Sequence, residues 1–271
     1  MKFSQNSMIE VSVVIINYNT GKLLQECVDT VIKTTKNLCF PKTEILIVDN
    51  NSTDGSANFK GNFTLIKNQD NPGFSKANNQ AINKARGEYI LLLNPDTKVL
   101  GLVIEQLVEF AKTHPDAGVV APRLLNSDGS VQDSVMPFPT IRRAIQEYWF
   151  GNKIYSKYVL NVDKPTEIEA AVMAGFLITP KAKEKVGLLN EKYFMYFEDL
   201  GYCRKICDAG LKTYYLPQAQ VIHYHGVSGK SRINQEYQWK RLISSSKLYH
   251  GSFRYYLITL IIKVGQQFFR K

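Results

Sequence analysis

The stretch "YILLLNPDTKVL" (89–100) runs an unbroken apolar segment into Asn94-Pro95-Asp96. A carboxylate just past a strand end, behind a proline that fixes the backbone, is placed to hold Mg2+ or Mn2+. Such ions prefer hard oxygen ligands and share them with substrate phosphates. Asn-Pro-Asp is equally good turn chemistry, so this motif alone leaves both readings open. "DNNSTDGS" (49–56) adds Asp49 at the end of a second apolar run, where nucleotide-binding sheets hold a ribose or a base edge. "NQDNPGFSKANN" (68–79) sets Asn71, Gly73 and Phe74 ahead of an amide-rich helix, whose N-terminus favours anions. Neither G-x-x-x-x-G-K-S/T nor G-x-G-x-x-G occurs there or after the first strand, which weighs against a P-loop and a dinucleotide fingerprint.

Two further segments carry titratable groups. "YFMYFEDLGYCRK" (193–205) puts Glu198 and Asp199 behind a cluster of aromatics. Carboxylates against apolar walls gain proton affinity, as a general base requires, and acids equally suit a helix N-terminus. "VIHYHGVSGKS" (221–231) holds His223 and His225 on alternate positions, the same face of an extended chain, suited to metal ligation or phosphate contact. Lys230 and Arg232 follow, as a cationic loop able to close over a diphosphate.

These residues need a scaffold, and the first hundred positions alternate strand and helix patterns. Strands are expected at 11–18, 43–50, 63–68 and 89–94, with helices over about 22–36 and 73–85. Continuous apolar strands separated by helices imply a parallel sheet covered on both faces. In such sheets ligands sit outside the carboxyl ends of the strands. Those ends carry Asn17-Tyr18-Asn19, Asp49-Asn50-Asn51 and Asn94-Pro95-Asp96, three polar termini on one rim. Beyond 100, a helix (about 101–113) leads to "AGVVAPRLL" (117–125) and then a Pro-rich, aromatic region of weak periodicity through Tyr158. Residues 170–179 read as one buried strand, 196–210 as a helix and 211–226 as extended.

The chain has 271 residues, 44% of them hydrophobic, enough for a large core. Lys+Arg at 34 against Asp+Glu at 24 gives +10, so anionic partners are expected. Cys27, Cys39, Cys203 and Cys207 are too scattered for a disulfide framework, and no second pair gives Cys203 and Cys207 a zinc spacing. No signal peptide is read at the N-terminus, and no run reaches the ~20 apolar residues of a membrane span. A cytoplasmic location is expected. The basic, aromatic end "SFRYYLITLIIKVGQQFFRK" (252–271) suits a helix lying peripherally on the inner face of an anionic membrane, or docked on protein.

In order, "SVVIINYN", "ILIVDNNSTDGS", "NPGFSKANNQAI", "GEYILLLNPDTKV", "VMAGFLI", "YFMYFEDLGYCRK" and "VIHYHGVSGKS" resemble the inverting family 2 glycosyltransferases, particularly their bacterial rhamnosyltransferase-like branch. The resemblance covers residues 11 to about 231. It implies a GT-A fold, a Rossmann-like, mostly parallel sheet with helices on both faces, plus a C-terminal helical appendage. Residues 1–100 would be the nucleotide-sugar half, 101–231 the acceptor-binding and catalytic half, and 232–271 the C-terminal helices. It also implies a nucleoside-diphosphate sugar donor (dTDP-rhamnose or a UDP-sugar) and a divalent metal. The acceptor would be a saccharide or a polyprenyl-diphosphate-linked one, in surface polysaccharide assembly.

By that resemblance Asn17, Tyr18, Asn19, Asp49, Asn71, Gly73, Phe74, Asn94 and Lys230 would bind the nucleotide sugar. Asp96 and His223 would hold the metal, with His225 as a helper. Asp199, beside Glu198, would be the catalytic base. Two departures stand out: Asn94 replaces the first acid of the family's metal motif, and Gly201 stands where relatives often carry another acid. They leave a non-catalytic nucleotide-binding or interaction protein on the same fold as the alternative. Charge alone suggests nucleic acid, but no recognition motif supports it, and no particular oligomeric state is implied.

Overall fold

A computed structural model describes residues 9–35, 42–224 and 235–268. His225, Lys230, Arg232 and Cys39, with the expected cationic loop, lie outside the described residues.

The first half alternates as its periodicity implies: β1 (Val11–Asn17), α1 (Leu23–Thr35), β2 (Thr43–Asp49), β3 (Thr64–Lys67), α2 (Phe74–Ile82) and β4 (Tyr89–Leu93). The strands are parallel in the order β3-β2-β1-β4. Alternation along β1 assigns each apolar residue to a face. Val14 and Ile16 pack with Ala77 and Ala81 of α2, and Val13 and Ile15 pack with Leu24, Cys27 and Val28 of α1. The register ends with Asn17 opposite Asp49, so the polar termini gather on one rim.

The chain then runs through β5 (Thr97–Val99), α3 (Val103–Thr113), β6 (Ala117–Leu125), β7 (Val135–Met136), α4 (Ile141–Phe150), β8 (Thr166–Ile168), β9 (Ala170–Ala171), β10 (Gly175–Ile178), α5 (Pro180–Lys185), α6 (Glu198–Asp208), β11 (Lys212–His223), α7 (Gln235–His250) and α8 (Ser252–Phe268). β10 lies antiparallel between β4 and β6, and β11 is parallel to β6 and antiparallel to β5 and β8. The sheet is therefore parallel in its first half and mixed in its second.

Three expectations are corrected. Residues 170–179 are two strands in different sheets, β9 pairing β7 and β10 joining the main sheet. Ala170, Ala171 and the whole of β10 are all buried, so hydrophobicity reports burial there but not the turn between them. The irregular-looking region contains α4, capped by Thr140, whose Oγ1 accepts from the Arg143 amide, and stopped at Gly151, φ +76°. The helix expected from 196 begins at Glu198, because Tyr196 and Phe197 take left-handed backbone (φ +71° and +66°).

Helix α8 attaches through α4, while α7 docks on the segment before α6, Ser245 Oγ donating to the Met195 carbonyl at 2.8 Å. Ala144, Ile258 and Ile261 form a separate small core, and Trp149 Nε1 donates to the Ile261 carbonyl at 3.0 Å. Gly265 permits that approach, since a Cβ there would stand 2.7 Å from the Tyr148 carbonyl oxygen.

Candidate functional site

The turn after β4 is built into the sheet. The Asn94 amide donates to the Ala174 carbonyl (3.0 Å), and the chain leaves Asp96 directly into β5. Antiparallel pairing sets Thr97 opposite His223, the last residue of β11, and the Tyr224 amide donates to the Asp96 carbonyl at 2.9 Å. Two distant segments thereby bring the side chains of Asp96 and His223 together: Nε2 lies 3.4 Å from Oδ1, and the residues are 2% and 4% exposed.

The histidine is oriented from behind. Gln132 Oε1 lies 2.8 Å from His223 Nδ1, while Gln132 Nε2 donates to the His223 carbonyl at 3.3 Å. An amide oxygen only accepts, so a proton sits on Nδ1, and in the neutral ring it is the Nε2 lone pair that faces the Asp96 carboxylate. A lone pair beside a carboxylate is the arrangement a cation stabilises, and a hydrogen-bonded second nitrogen is how ligating histidines are commonly held. Among the described residues no third histidine, cysteine or carboxylate joins them. Mg2+ and Mn2+ commonly take one or two protein ligands and complete their shell with water and phosphate, so the pair fits.

Glu198 and Asp199 open α6. The two preceding left-handed residues each cost about 1–2 kcal/mol and turn the chain so that the acids meet the cleft at the helix start. Leu200 N donates to Asp199 Oδ1 at 2.8 Å, and Glu198 Oε2 is buried without a hydrogen-bond partner among the described residues. Burial pushes both carboxyls above the usual carboxylate range. For Glu198 the neighbouring Asp199 charge adds to the rise, whereas the Leu200 amide and Lys157 partly offset it for Asp199.

A cleft of about 460 Å³ joins the two groups. Tyr18, Asn71, Phe74, Asn94, Asp96, Glu198, Asp199 and His223 all line it. The side chains of Asn17, Asn19, Asp49 and Gly73 are not among those lining it. Asn17 is fully buried and donates through Nδ2 to Asp49 Oδ1 (2.7 Å) and Ser56 Oγ (2.8 Å), while Asp49 Oδ2 accepts from the Ser52 amide. Asn19 braces the same loop, accepting from the Thr53 amide at 2.8 Å. These hydrogen bonds shape the rim. Gly73 (φ +93°) serves packing, since a Cβ would stand 2.6 Å from the Phe194 carbonyl oxygen.

Further residues line the cleft, of which Lys157 and Arg241 escaped sequence reasoning. Lys157 and Arg241 bring positive charge to the cleft, and Asn50 sits on its wall, its Nδ2 donating to Asn71 Oδ1 at 3.2 Å. Arg241 also rests on the Phe194 ring, 4.0 Å from its centroid. Neither Lys157 nor Arg241 stands at the end of an apolar run, so no pattern marks them, whereas Asn50 belongs to the polar terminus of β2. Gln132 could have been found only by knowing what faces His223. Cys203 is buried and Cys207 exposed, so they form no pair.

Known proteins match this chain along most of its length. The model of glycosyl transferase family 2 matches residues 12–177. The N-acetylglucosaminyl-diphospho-decaprenol L-rhamnosyltransferase of Mycobacterium tuberculosis is 27% identical over 78% of this chain and 75% of its own. The low-salt glycan biosynthesis hexosyltransferase Agl10 of Haloferax volcanii is 23% identical over 88% of this chain and 74% of its own. Among solved structures, S. aureus TarS 1-349 superposes with a TM-score of 0.59 at 15% identity, covering 96% of this chain and 72% of that one. GalNAc-T7, solved with UDP, GalNAc and Mn2+, gives 0.60 at 20% identity over 80% of this chain, which spans only 44% of that longer one. The shared architecture is the GT-A fold.

Proposed function

The chain belongs to glycosyl transferase family 2, and from that premise we propose that it moves a sugar, rhamnose first among candidates, from a nucleoside-diphosphate donor to an acceptor hydroxyl with inversion. The observation that carries this reading is that Asp96 with His223, and Asp199 with Glu198, line one cleft. The name of the M. tuberculosis relative specifies rhamnose and a lipid-diphosphate acceptor, which supports dTDP-rhamnose, ahead of a UDP-sugar, and a saccharide carried on a polyprenyl diphosphate.

The chemistry is a single displacement. The acceptor oxygen bonds to the anomeric carbon as the bond to the donor diphosphate breaks on the opposite face. Asp199 takes the hydroxyl proton, and burial makes its carboxylate a stronger base than an exposed one. Glu198, pushed up further by that neighbour, retains its proton and leaves Asp199 the charged member. Lys157 and Arg241 offset charge on the departing diphosphate. Asp96 and His223 would hold Mg2+ or Mn2+, whose charge neutralises the same leaving group.

A lipid-borne acceptor agrees with α8. Phe253, Tyr256 and Leu260 are exposed on one face of it, followed by Lys263 at the same helical spacing, and Phe253 is 80% exposed. No helix among the described residues is long and apolar enough to cross a membrane. Aromatic rings with cations beside them suit a helix lying in an anionic bilayer surface.

A thermal-shift series with nucleotides and nucleotide sugars, with and without Mn2+, tests the donor. One nucleoside diphosphate at ~100 times its dissociation constant should add about 2.7 kcal/mol, only with the metal. Silence toward every nucleotide would overturn the reading.

A further inference from the structure

A second cavity, of about 620 Å³, lies between the start of α4, α6 and the α7–α8 corner. Arg142, Arg204 and Arg254 line it, and no aspartate or glutamate does. Among the described residues none of the three guanidinium groups forms a salt bridge. Glu169, near Arg204, is already held by both terminal nitrogens of Arg143 at 2.6 and 2.5 Å. Arg204 is fixed by stacking, its guanidinium carbon 3.7 Å from the Phe138 centroid. Like charges gathered around a cavity without a counter-charge repel one another, and an anion between them removes that cost.

Three further features converge on the same ligand. Thr140 and Ile141, at the N-terminus of the ten-residue α4, line the cavity, where the first amides have no intrahelical acceptor. His250 has a buried Nε2 without a partner among the described residues, and burial together with Arg254 pushes the ring down to about 4. Gly201 forms part of the wall. Tyr193 fills the space so closely that a Cβ on Gly201 would stand 3.0 Å from its ring. Helix α6, which carries Asp199, thus brings no negative charge to the cavity wall at Gly201.

We propose that this cavity binds the phosphate or diphosphate of a phosphorylated ligand. Resting on the transferase reading, that group is the diphosphate carrier of the acceptor, held apart from the donor cleft.

Calorimetric titration of the full chain with inorganic pyrophosphate, without divalent cation, tests the site. Arg142→Gln/Arg254→Gln and, separately, Arg204→Gln should each weaken binding by at least about tenfold, as lost charge-assisted hydrogen bonds imply. Asp96→Asn should bind as the unaltered protein does, and the His250 ring resonances should shift on titration. Arg142 and Arg254 are exposed or near-exposed cations whose replacement leaves the core intact, so the double variant is informative even if Arg204→Gln fails to fold. Vesicles of phosphatidylglycerol against phosphatidylcholine distinguish the source. Retention on the former alone, weakened by Arg204→Gln and without pyrophosphate binding, assigns the same site to a bilayer headgroup. Pyrophosphate affinity unchanged in all arginine variants, or lost in Asp96→Asn instead, overturns the proposal. Absent sugar transfer with pyrophosphate binding intact would sink the transferase reading alone.

Discussion

His223 Nδ1 lies 2.8 Å from Gln132 Oε1, and this contact turns Nε2 toward Asp96, 3.4 Å away. Two residues 91 positions apart are coupled so that one sets the other's tautomer. Gln132→Leu removes the acceptor and frees the ring. Second-sphere partners of ligating histidines are worth about 10–100-fold in metal affinity. Mn2+ affinity, followed by electron paramagnetic resonance of the free ion, should fall within that range. Gln132→Glu keeps an oxygen opposite Nδ1 and should restore it.

Asn94 borders the same pair, its Nδ2 3.4 Å from His223 Nε2. Asn94→Asp adds a second carboxylate beside Asp96 and His223. Mn2+ should bind more tightly than to the unaltered protein in the same titration, and weaker binding would place the ion elsewhere.

How far the residues announce this arrangement depends on what each must do. β1, β2, β4 and β6 are legible because strands buried on both faces need unbroken apolar runs. The break between β9 and β10 is hidden for the same reason, since continuous burial leaves no alternation to interrupt. α4 is amphipathic, but its apolar face, with Ala144, Ile141 and Ile145, packs on α8 rather than on the main core, and the irregular aromatic segment around it hides the helix. At the rim, Asn17, Asn19 and Asp49 have the residue types of a binding site, yet their side chains hold the loop. Type and spacing place a polar residue at a strand end. Which way it points is decided by hydrogen bonds to Ser52, Thr53 and Ser56 across the rim. Asp96, His223 and Asp199, singled out by the resemblance, line one cleft, whereas Lys157 and Arg241 on its wall come from segments that carry no motif.

The raised carboxyls give opposite signs for activity and stability. Transfer needs Asp199 ionised, so kcat should fall with decreasing pH through a value above the ordinary carboxylate range. Glu198 binds its proton more tightly folded than unfolded, so its contribution to stability declines as pH rises from the unfolded carboxyl value through the raised folded one. Glu198→Gln removes that decline. Its melting temperature should match the unaltered protein near about pH 4 and exceed it increasingly toward neutrality. A constant offset at all pH values would contradict the buried charge.

α8 offers a separate test. Phe253→Ser with Leu260→Ser removes two exposed apolar side chains, each worth about 1.5–3 kcal/mol when fully buried. Sedimentation with phosphatidylglycerol vesicles should drop at least about tenfold, while the melting temperature stays unchanged. Undiminished sedimentation would remove α8 from the membrane contact.

The division of labour across the cleft is tested most directly by titrating the donor nucleoside diphosphate, with Mn2+, into Asp199→Asn and Asp96→Asn while measuring sugar transfer by each. Asp199→Asn should bind as the unaltered protein does and lose transfer by at least about 10²–10⁴-fold, and Asp96→Asn should lose the metal-dependent part of binding. Full transfer by Asp199→Asn, or metal-dependent binding undiminished in Asp96→Asn, would contradict it.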